Sequence, residues 1–177
     1  HKLQRRATRP RARTAGGVPV TQGRWANRQG GILEQHVAQT FTDHGFVMLP
    51  HAAYVARGNP AGDFLLTNVP YTSIYGHTGK TEFLAVSTAR DLGVRIECKW
   101  QQSSGSVDEK FPYLYLNCIE CMPESEIILL IDGRGYKPGA LAWLKQAVRE
   151  NRYCRRPKNI HVMDLAEFIA WANLRLR

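Results

Sequence analysis

The chain has 177 residues with 44% hydrophobic content, which is enough for one sizeable core and predicts a single folded domain. The longest aliphatic stretch, residues 127–131, is far too short to cross a bilayer, and the arginine-rich start lacks the apolar segment of a secretory signal. We therefore expect no membrane span and, by default, a cytoplasmic protein with a formal net charge of +9.

The positive charge is concentrated at the start of the chain. Residues 1–30 hold eight of the 24 basic side chains and no acid, whereas the remaining 147 residues carry 16 basic against 15 acidic side chains. Pro10 and Pro19 oppose a continuous helix, so residues 1–24 are predicted to form an extended basic arm suited to phosphates, followed by one domain over residues 25–177. The alternative is a disordered tail. The arginines of this region are Arg5, Arg6, Arg9, Arg11, Arg13, Arg24 and Arg28.

The first predicted helix covers residues 25–43, where Ile32, Val37 and Phe41 form an apolar stripe at helical spacing. Two β-favouring segments follow at residues 80–87 and 94–101. The sequence between them, residues 89–93, contains an aspartate and a glycine that suit a turn. These two segments are therefore predicted to form a hairpin.

The second strand of this hairpin separates polar from apolar side chains. Alternation along a strand places Glu97, Lys99 and Gln101 on one face, and Ile96, Cys98 and Trp100 on the other. A polar set of this kind is either the solvated side of a half-exposed sheet or part of a functional site.

Glu82 on the first strand of the hairpin can approach Glu97. Two neighbouring carboxylates repel each other unless a cation or a shared proton lies between them. Oxygen ligands favour magnesium or manganese, so this pair predicts a site for a hard divalent cation.

The rest of the chain alternates helices and strands. A loop of Ser, Gly and acidic residues leads into a helix that begins near Pro112. We then predict a buried strand at residues 126–132, a helix at 138–149, a short strand at 160–163 and a closing helix at 165–176. This order is typical of an α/β fold.

Glu82 and the segment Glu97-Cys98-Lys99, with Gln101 shortly after it, resemble the active-site motif of the PD-(D/E)XK nuclease superfamily, to which many restriction endonucleases belong. The resemblance implies a restriction-endonuclease-like core with a central mixed sheet of about five strands flanked by helices. It also implies that Glu82, Glu97 and the backbone carbonyl of Cys98 bind the metal, that Lys99 positions or activates the attacking water, and that Gln101 orients the site.

Many members of this superfamily carry a glutamate on the helix that precedes the sheet, which makes Glu34 a candidate catalytic or metal-binding residue. Its alternative interpretation is a solvated helix glutamate. The chain departs from the motif at two positions, since Glu82 stands where aspartate is commoner and Thr81 replaces the proline. Asp63 is therefore a rival for the first acidic position.

By resemblance, the activity would be that of a magnesium-dependent endonuclease on double-stranded DNA that leaves 5′-phosphate and 3′-hydroxyl ends, with manganese as a substitute. A homodimeric type II restriction enzyme is the leading interpretation. The alternatives are a structure-selective or transposon-associated nuclease and an inactive DNA-binding module of the same fold. Beyond the arm, the side chains predicted to contact nucleic acid are Arg134, Lys137, Arg155 and Arg156.

Two further groups have alternative interpretations. Cys118 and Cys121 could supply half of a zinc site completed by Cys154 or His161, but free thiols are favoured because a single C-x-x-C pair lacks the second half. Tyrosines could stack on bases or simply pack in the core and at its rim. They are Tyr71, Tyr75, Tyr113, Tyr115 and Tyr136.

Overall fold

A computed structural model describes residues 22–102 and 108–177, with side chains from residue 31 onward. The predicted arm therefore lies outside the described residues up to position 21, and so do the side chains of Arg24 and Arg28. The arm arginines concerned are Arg5, Arg6, Arg9, Arg11 and Arg13.

A mixed α/β architecture follows from the elements of the described residues. The strands are β1 (Val47–Pro50), β2 (Asp63–Thr72), β3 (Thr78–Ser87), β4 (Leu92–Trp100), β5 (Glu126–Asp132) and β6 (Asn159–Met163). The helices are α1 (Gln22–Asp43), α2 (His51–Ala56), α3 (Phe111–Glu120), α4 (Pro138–Arg149) and α5 (Leu165–Arg175), with a 3₁₀ turn at Asp108–Lys110 before α3. None of these helices combines the length and apolar character that a membrane crossing requires.

All six strands form one sheet in the order β1-β2-β3-β4-β5-β6. Only β3 runs antiparallel to its neighbours, since β1 pairs with β2, β4 with β5, and β5 with β6 in parallel. The carboxyl ends of β2, β4, β5 and β6 consequently reach the same edge of the sheet, which we call the C-terminal edge. This arrangement confirms the predicted mixed sheet flanked by helices, with six strands where about five were expected, and β1 and β2 lie in segments to which no strand had been assigned.

Helices cover both faces of the sheet. On one face, Leu33, Val37 and Phe41 of α1 pack with Phe168 and other residues of α5 against the apolar side of β4. On the other face, α3 and α4 pack against β5. Because β5 has a helix layer on each side, both sets of its alternating side chains are buried, which explains its continuous apolar sequence.

The predicted hairpin corresponds to β3 and β4, which pair from Phe83 with Ile96 to Ser87 with Leu92. In the turn between them, Asp91 adopts a φ of 46°, a left-handed conformation that aspartate tolerates better than most side chains. The predicted strand at 126–132 and helix at 138–149 are confirmed at the predicted bounds. The first helix begins at Gln22 instead of residue 25.

Candidate active site

Regular strand pairing is interrupted around Glu82. On one side, β3 pairs with β2 at Phe83 and again at Thr81 but not at Glu82 between them. The β2 residue opposite Glu82 is Asn68, where the chain is kinked with a φ of 54°. On the other side, pairing of β3 with β4 ends at Phe83. A local break of this kind redirects a side chain, and such breaks are common beside active sites. Glu82 therefore lies where β3 separates from β4.

The separation leaves a backbone N–H group of β4 without a main-chain acceptor on β3, and the carboxylate of Glu82 accepts its hydrogen bond instead. The Cys98 N–H donates a hydrogen bond to Glu82 Oε2 at 2.8 Å. Glu82 is thereby fixed beside the strand that carries Glu97 and Lys99. The Cys98 side chain points the other way into the α1 and α5 layer, together with Ile96, as strand alternation predicts.

Three oxygens converge on the ammonium group of Lys99. Its Nζ forms an ion pair with Glu97 Oε1, donates to the Cys98 carbonyl at 3.2 Å, and lies 4.0 Å from Glu82 Oε1. These are the oxygen donors that the resemblance assigns to a metal ion. The structure therefore brings Glu82, Glu97 and Lys99 together, although their catalytic and metal-binding roles stay predictions.

Burial dominates the electrostatics of this cluster. The pKa of Glu97 is raised to about 7, with burial as the largest cause, the Lys99 ammonium opposing it and the Glu82 carboxylate adding to it. The pKa of Lys99 is also raised, because the attraction of Glu97 and Glu82 outweighs the opposing effect of burial. Lys99 accordingly stays positively charged, while Glu97 can take up a proton near neutral pH.

Glu34 of α1 is electrostatically connected to the same cluster. It is half-buried, and its pKa is raised first by burial and then by the Glu82 carboxylate, with Lys99 opposing. Helix α1 thus brings Glu34 into the field of Glu82 and Lys99, as the resemblance implies. Whether it contacts a metal stays a prediction.

The donor set is suited to a hard divalent cation. Glu97 Oε2 is buried and has no hydrogen-bond partner among the described residues, so one oxygen of a deeply buried carboxylate is left uncompensated. A cation bound by Glu82, Glu97 and the Cys98 carbonyl would supply the missing charge. The described residues contain no group of three or more His, Cys, Asp or Glu side chains arranged to hold an ion, so the two carboxylates would need the backbone carbonyl and water as further ligands.

The loop after β5 supports the end of β4. Gln101 donates from its side-chain Nε2 to the Gly135 carbonyl at 3.0 Å, and the Gly135 N–H donates back to the Gln101 carbonyl at 2.9 Å. Gly133, with a φ of 109°, approaches so closely that a Cβ there would lie 2.1 Å from the Gln101 carbonyl oxygen. The Tyr136 hydroxyl donates to the Lys99 carbonyl at 2.8 Å. Gln101 therefore holds the loop that braces Lys99.

A buried arginine that was not predicted as a site residue supports the same strand. Arg95 is only 2% exposed and pairs through two nitrogens with Glu124. Its Nη1 also donates to the Thr81 hydroxyl at 3.0 Å and to the Val69 carbonyl. Arg95 thus ties the chain next to Glu82 to β4, and its position two residues before Glu97 on one strand face was a usable signal.

A cavity of about 130 Å³ opens beside the cluster, and Glu97 and Lys99 form part of its wall. The rings of Tyr71, Phe111 and Tyr113 contribute the aromatic part of the lining. Burial, followed by the Glu97 carboxylate, raises the pKa of Tyr71 to about 12, so its phenol is neutral and not a nucleophile at ordinary pH. The charged cluster is therefore bordered by an aromatic surface.

Asp63, the rival for the first acidic position, lies elsewhere in the sheet. Its carboxylate accepts a hydrogen bond from Ser87 and pairs with Arg90. Ser87, the strand partner of Asp63, is five residues along β3 from Glu82, roughly 17 Å at the usual strand rise. Asp63 therefore holds the β3–β4 turn and does not reach the cluster.

The predicted basic residues are divided between the two edges of the sheet. Arg134 and Lys137 are exposed in the loop after β5, at the C-terminal edge near the cluster. Arg155 and Arg156 line a separate groove before β6, at the opposite edge, roughly 17 Å along the strands from Lys99. The structure does not bring this second pair to the carboxylates.

The zinc alternative finds no support in the described residues. Cys118 is buried against α4, the thiols are free, and no cluster of metal-ligating side chains surrounds them. His161 instead lies 3.2 Å from Glu126 through its Nε2. Tyr115, which is fully buried, donates its hydroxyl to main-chain carbonyls of α4 and of the turn after it, which is a packing role.

Neither the curated proteins nor the solved structures include a significant match to this chain. A family model for a PD-(D/E)XK nuclease superfamily domain, in contrast, matches residues 25–176, which is most of the chain. Its extent covers the whole sheet and both helix layers, including the cluster around Glu97. The chain therefore belongs to the PD-(D/E)XK nuclease superfamily.

Proposed function

We propose that the chain is a magnesium-dependent endonuclease that hydrolyses phosphodiester bonds of double-stranded DNA, with manganese able to replace magnesium. The observation that carries this proposal is the buried Glu97 carboxylate, which keeps one oxygen without a partner among the described residues. That oxygen belongs to a cluster in which Glu82 and Lys99 are already positioned by β3 and β4, at the point where these strands separate. Family membership and this donor set support the same chemistry.

In this mechanism, Glu82, Glu97 and the Cys98 carbonyl hold the cation. When bound, the cation would lower the pKa of a water molecule and offset the negative charge that grows on the phosphate. Lys99 is kept charged by the two carboxylates, so its ammonium can donate to the attacking oxygen or to the phosphate. Tyr136, through its bond to the Lys99 carbonyl, limits the movement of this lysine's backbone.

Within this activity, we infer the role of a type II restriction enzyme that leaves 5′-phosphate and 3′-hydroxyl ends. A homodimer would place two related active sites on the two strands of a palindrome. Arg134 and Lys137 lie on the same edge of the sheet as the cluster, which suits contacts with nearby phosphates. Arg155 and Arg156 would contact a more distant part of the DNA.

A structure-selective or transposon-associated nuclease is a second candidate. The aromatic cavity beside Glu97 and Lys99 favours it, because aromatic faces suit unpaired bases. An inactive DNA-binding module is less consistent with the structure, since a buried carboxylate with an uncompensated oxygen lowers stability without serving binding.

Incubation of the purified protein with supercoiled plasmid and magnesium tests the proposal. We expect cleavage that EDTA abolishes, and a loss of about two to three orders of magnitude in Lys99→Ala or Glu82→Gln, as is common when one charge-stabilising group is removed. Lys145→Ala, an exposed lysine on α4, is the matched control and should cut normally.

The DNA ends and a band-shift assay separate the candidate roles. Ends with one fixed sequence indicate restriction, and nicks at varied sequences indicate a less specific nuclease. Intact plasmid with a shifted band, for both the native protein and Lys99→Ala, would contradict the enzymatic proposal and support a binding module.

A further inference from the structure

The cavity beside the charged cluster has the size of a single aromatic ring. Its volume of about 130 Å³ is close to that of a cavity that holds one benzene molecule, about 150 Å³, in a well-packed protein core. Two paired bases would not fit in this space. The cavity is therefore large enough for one six-membered ring and excludes a base pair.

The lining of the cavity is suited to a nucleobase. The half-buried Tyr71 and Tyr113 present aromatic side chains, the buried Phe111 lies behind them, and Glu97 and Lys99 form the polar wall. Every nucleobase has a π face that stacks on such rings and an edge that forms hydrogen bonds. Because Lys99 is part of the cavity wall, a base bound here would bring its own phosphate close to the charged cluster.

The aromatic surface continues outward from the cavity to solvent. The ring of Tyr113 stacks on that of Tyr75 with centroids 5.0 Å apart and an interplanar angle of 26°. Tyr75 lies in the turn between β2 and β3 and is 68% exposed. Lys110, an exposed cation at the start of α3, also lines the cavity and could contact a neighbouring phosphate.

This exposed pair of rings is held in place by a buried asparagine. The Ile74 N–H, next to Tyr75, donates to Asn117 Oδ1 at 2.9 Å, and Asn117 Nδ2 donates to the Tyr113 carbonyl at 2.8 Å. Asn117 is fully buried. The turn and helix α3 are thus fixed to each other before any ligand binds, which lowers the entropy cost of stacking a base on the rings.

We propose that the cavity binds one unpaired nucleobase of the strand being cut, and that the adjacent base stacks on the outer face of Tyr75, whose inner face packs on Tyr113. The inference rests on the proposed nuclease function and favours its second candidate role, that of a structure-selective nuclease. DNA with an unpaired nucleotide beside the scissile phosphate, such as a single strand or a mismatch, binds more tightly than an intact duplex. In the duplex, the same base must first be extruded at the cost of its pairing and stacking.

Fluorescence anisotropy with labelled oligonucleotides in EDTA measures this preference without any cleavage. The probes are a 12-nucleotide single strand, the same strand in a perfect duplex, and the duplex with one central mismatch. We expect the single strand and the mismatched duplex to bind more tightly than the perfect duplex. Tyr75→Ala or Tyr113→Ala should weaken single-strand binding by roughly 5- to 150-fold, the range for loss of one stacked base.

Two further variants separate stacking from general damage to the fold. Tyr75→Phe keeps the ring but lacks the hydroxyl, so it should bind the single strand like the native protein. Weaker binding by this variant would indicate that the hydroxyl, and not stacking, contributes the affinity. Tyr54 also pairs with a neighbouring ring, that of Phe64 at 5.4 Å, but its partner lies near the other end of β2. Tyr54→Ala should therefore leave the affinity for the single strand unchanged, and thermal melting of each variant verifies that it is folded.

The two proposals fail in different ways. Equal affinity for all three probes, or tyrosine variants that bind the single strand like the native protein, would overturn the base-binding inference even if plasmid is cut. Plasmid and the 12-nucleotide single strand that both stay intact with magnesium, while the single-strand preference and its loss in Tyr75→Ala persist, would instead overturn the nuclease proposal and leave the base site standing.

Discussion

Replacing Glu97 by glutamine should change how stability depends on pH. Burial raises the pKa of Glu97 to about 7, compared with an ordinary value of 4.5 for a glutamate. A carboxyl that binds its proton more tightly in the folded state stabilises the fold fully below pH 4.5. It loses that contribution as the pH rises to about 7. Over this range the free energy of unfolding of the native protein should therefore fall relative to that of Glu97→Gln, whose amide does not titrate.

The size of this change follows from the shift in pKa. One unit corresponds to 1.36 kcal/mol, so the shift from 4.5 to about 7 predicts a relative loss of roughly 3 kcal/mol between pH 4 and pH 8. In the native protein Lys99 adds no slope there, because its raised pKa keeps it charged throughout. Glu34, whose pKa is also raised, contributes equally in both proteins and cancels in the difference.

Urea denaturation at half-unit pH steps in EDTA, for the native protein and for Glu97→Gln, measures this difference. Repeating the series with magnesium should flatten the relative loss, because a cation on Glu97 favours the ionised carboxylate. Parallel stability curves for the two proteins in EDTA would refute the reasoning, since a buried carboxyl with a raised pKa must produce a pH-dependent difference.

Three other predictions, one of them with a control variant, concern residues outside the carboxylate cluster. Gly133→Ala should lower the melting temperature by several degrees, whereas Gly139→Ala, where an added Cβ meets nothing within 4 Å, should leave it nearly unchanged. Arg95→Met should lower the free energy of unfolding by about 3 to 5 kcal/mol in urea titrations, because it leaves the Glu124 carboxylate without its cation. Asp63→Asn should cut plasmid at the native rate, and a loss of cleavage comparable to that of a metal ligand would show that the assignment of the first acidic residue is wrong.

Much of the fold could be predicted because its strongest signals are local in the chain. The aliphatic run of β5 and the amphipathic pattern of α4 each specify an element without reference to the rest of the molecule. The alternation on β4 likewise separated Cys98 from Glu97 and Lys99 correctly. In contrast, β1 has only four residues and α2 six, too few to establish a period.

The parts of the site that the sequence did not predict depend on contacts between distant segments. The position of Glu82 is set by a break opposite Asn68 on another strand, which no pattern within β3 reveals. The aromatic cavity similarly combines Tyr71 of β2 with Phe111 and Tyr113 of α3. Each of these tyrosines could equally have been core packing, because ring composition alone does not indicate which rings will share a space.

The charges along one face of β4 link stability to function. Arg95, Glu97 and Lys99 alternate with apolar residues and all point toward the α3 layer, where isolated charges are costly. Arg95 is compensated by Glu124, and Lys99 by its position among several oxygens. Glu97 is the exception, since only one of its two oxygens is compensated within the described residues. Because a fold selected for stability alone would gain by replacing this carboxylate, its presence supports the proposal that a bound cation completes the charge balance of the cluster.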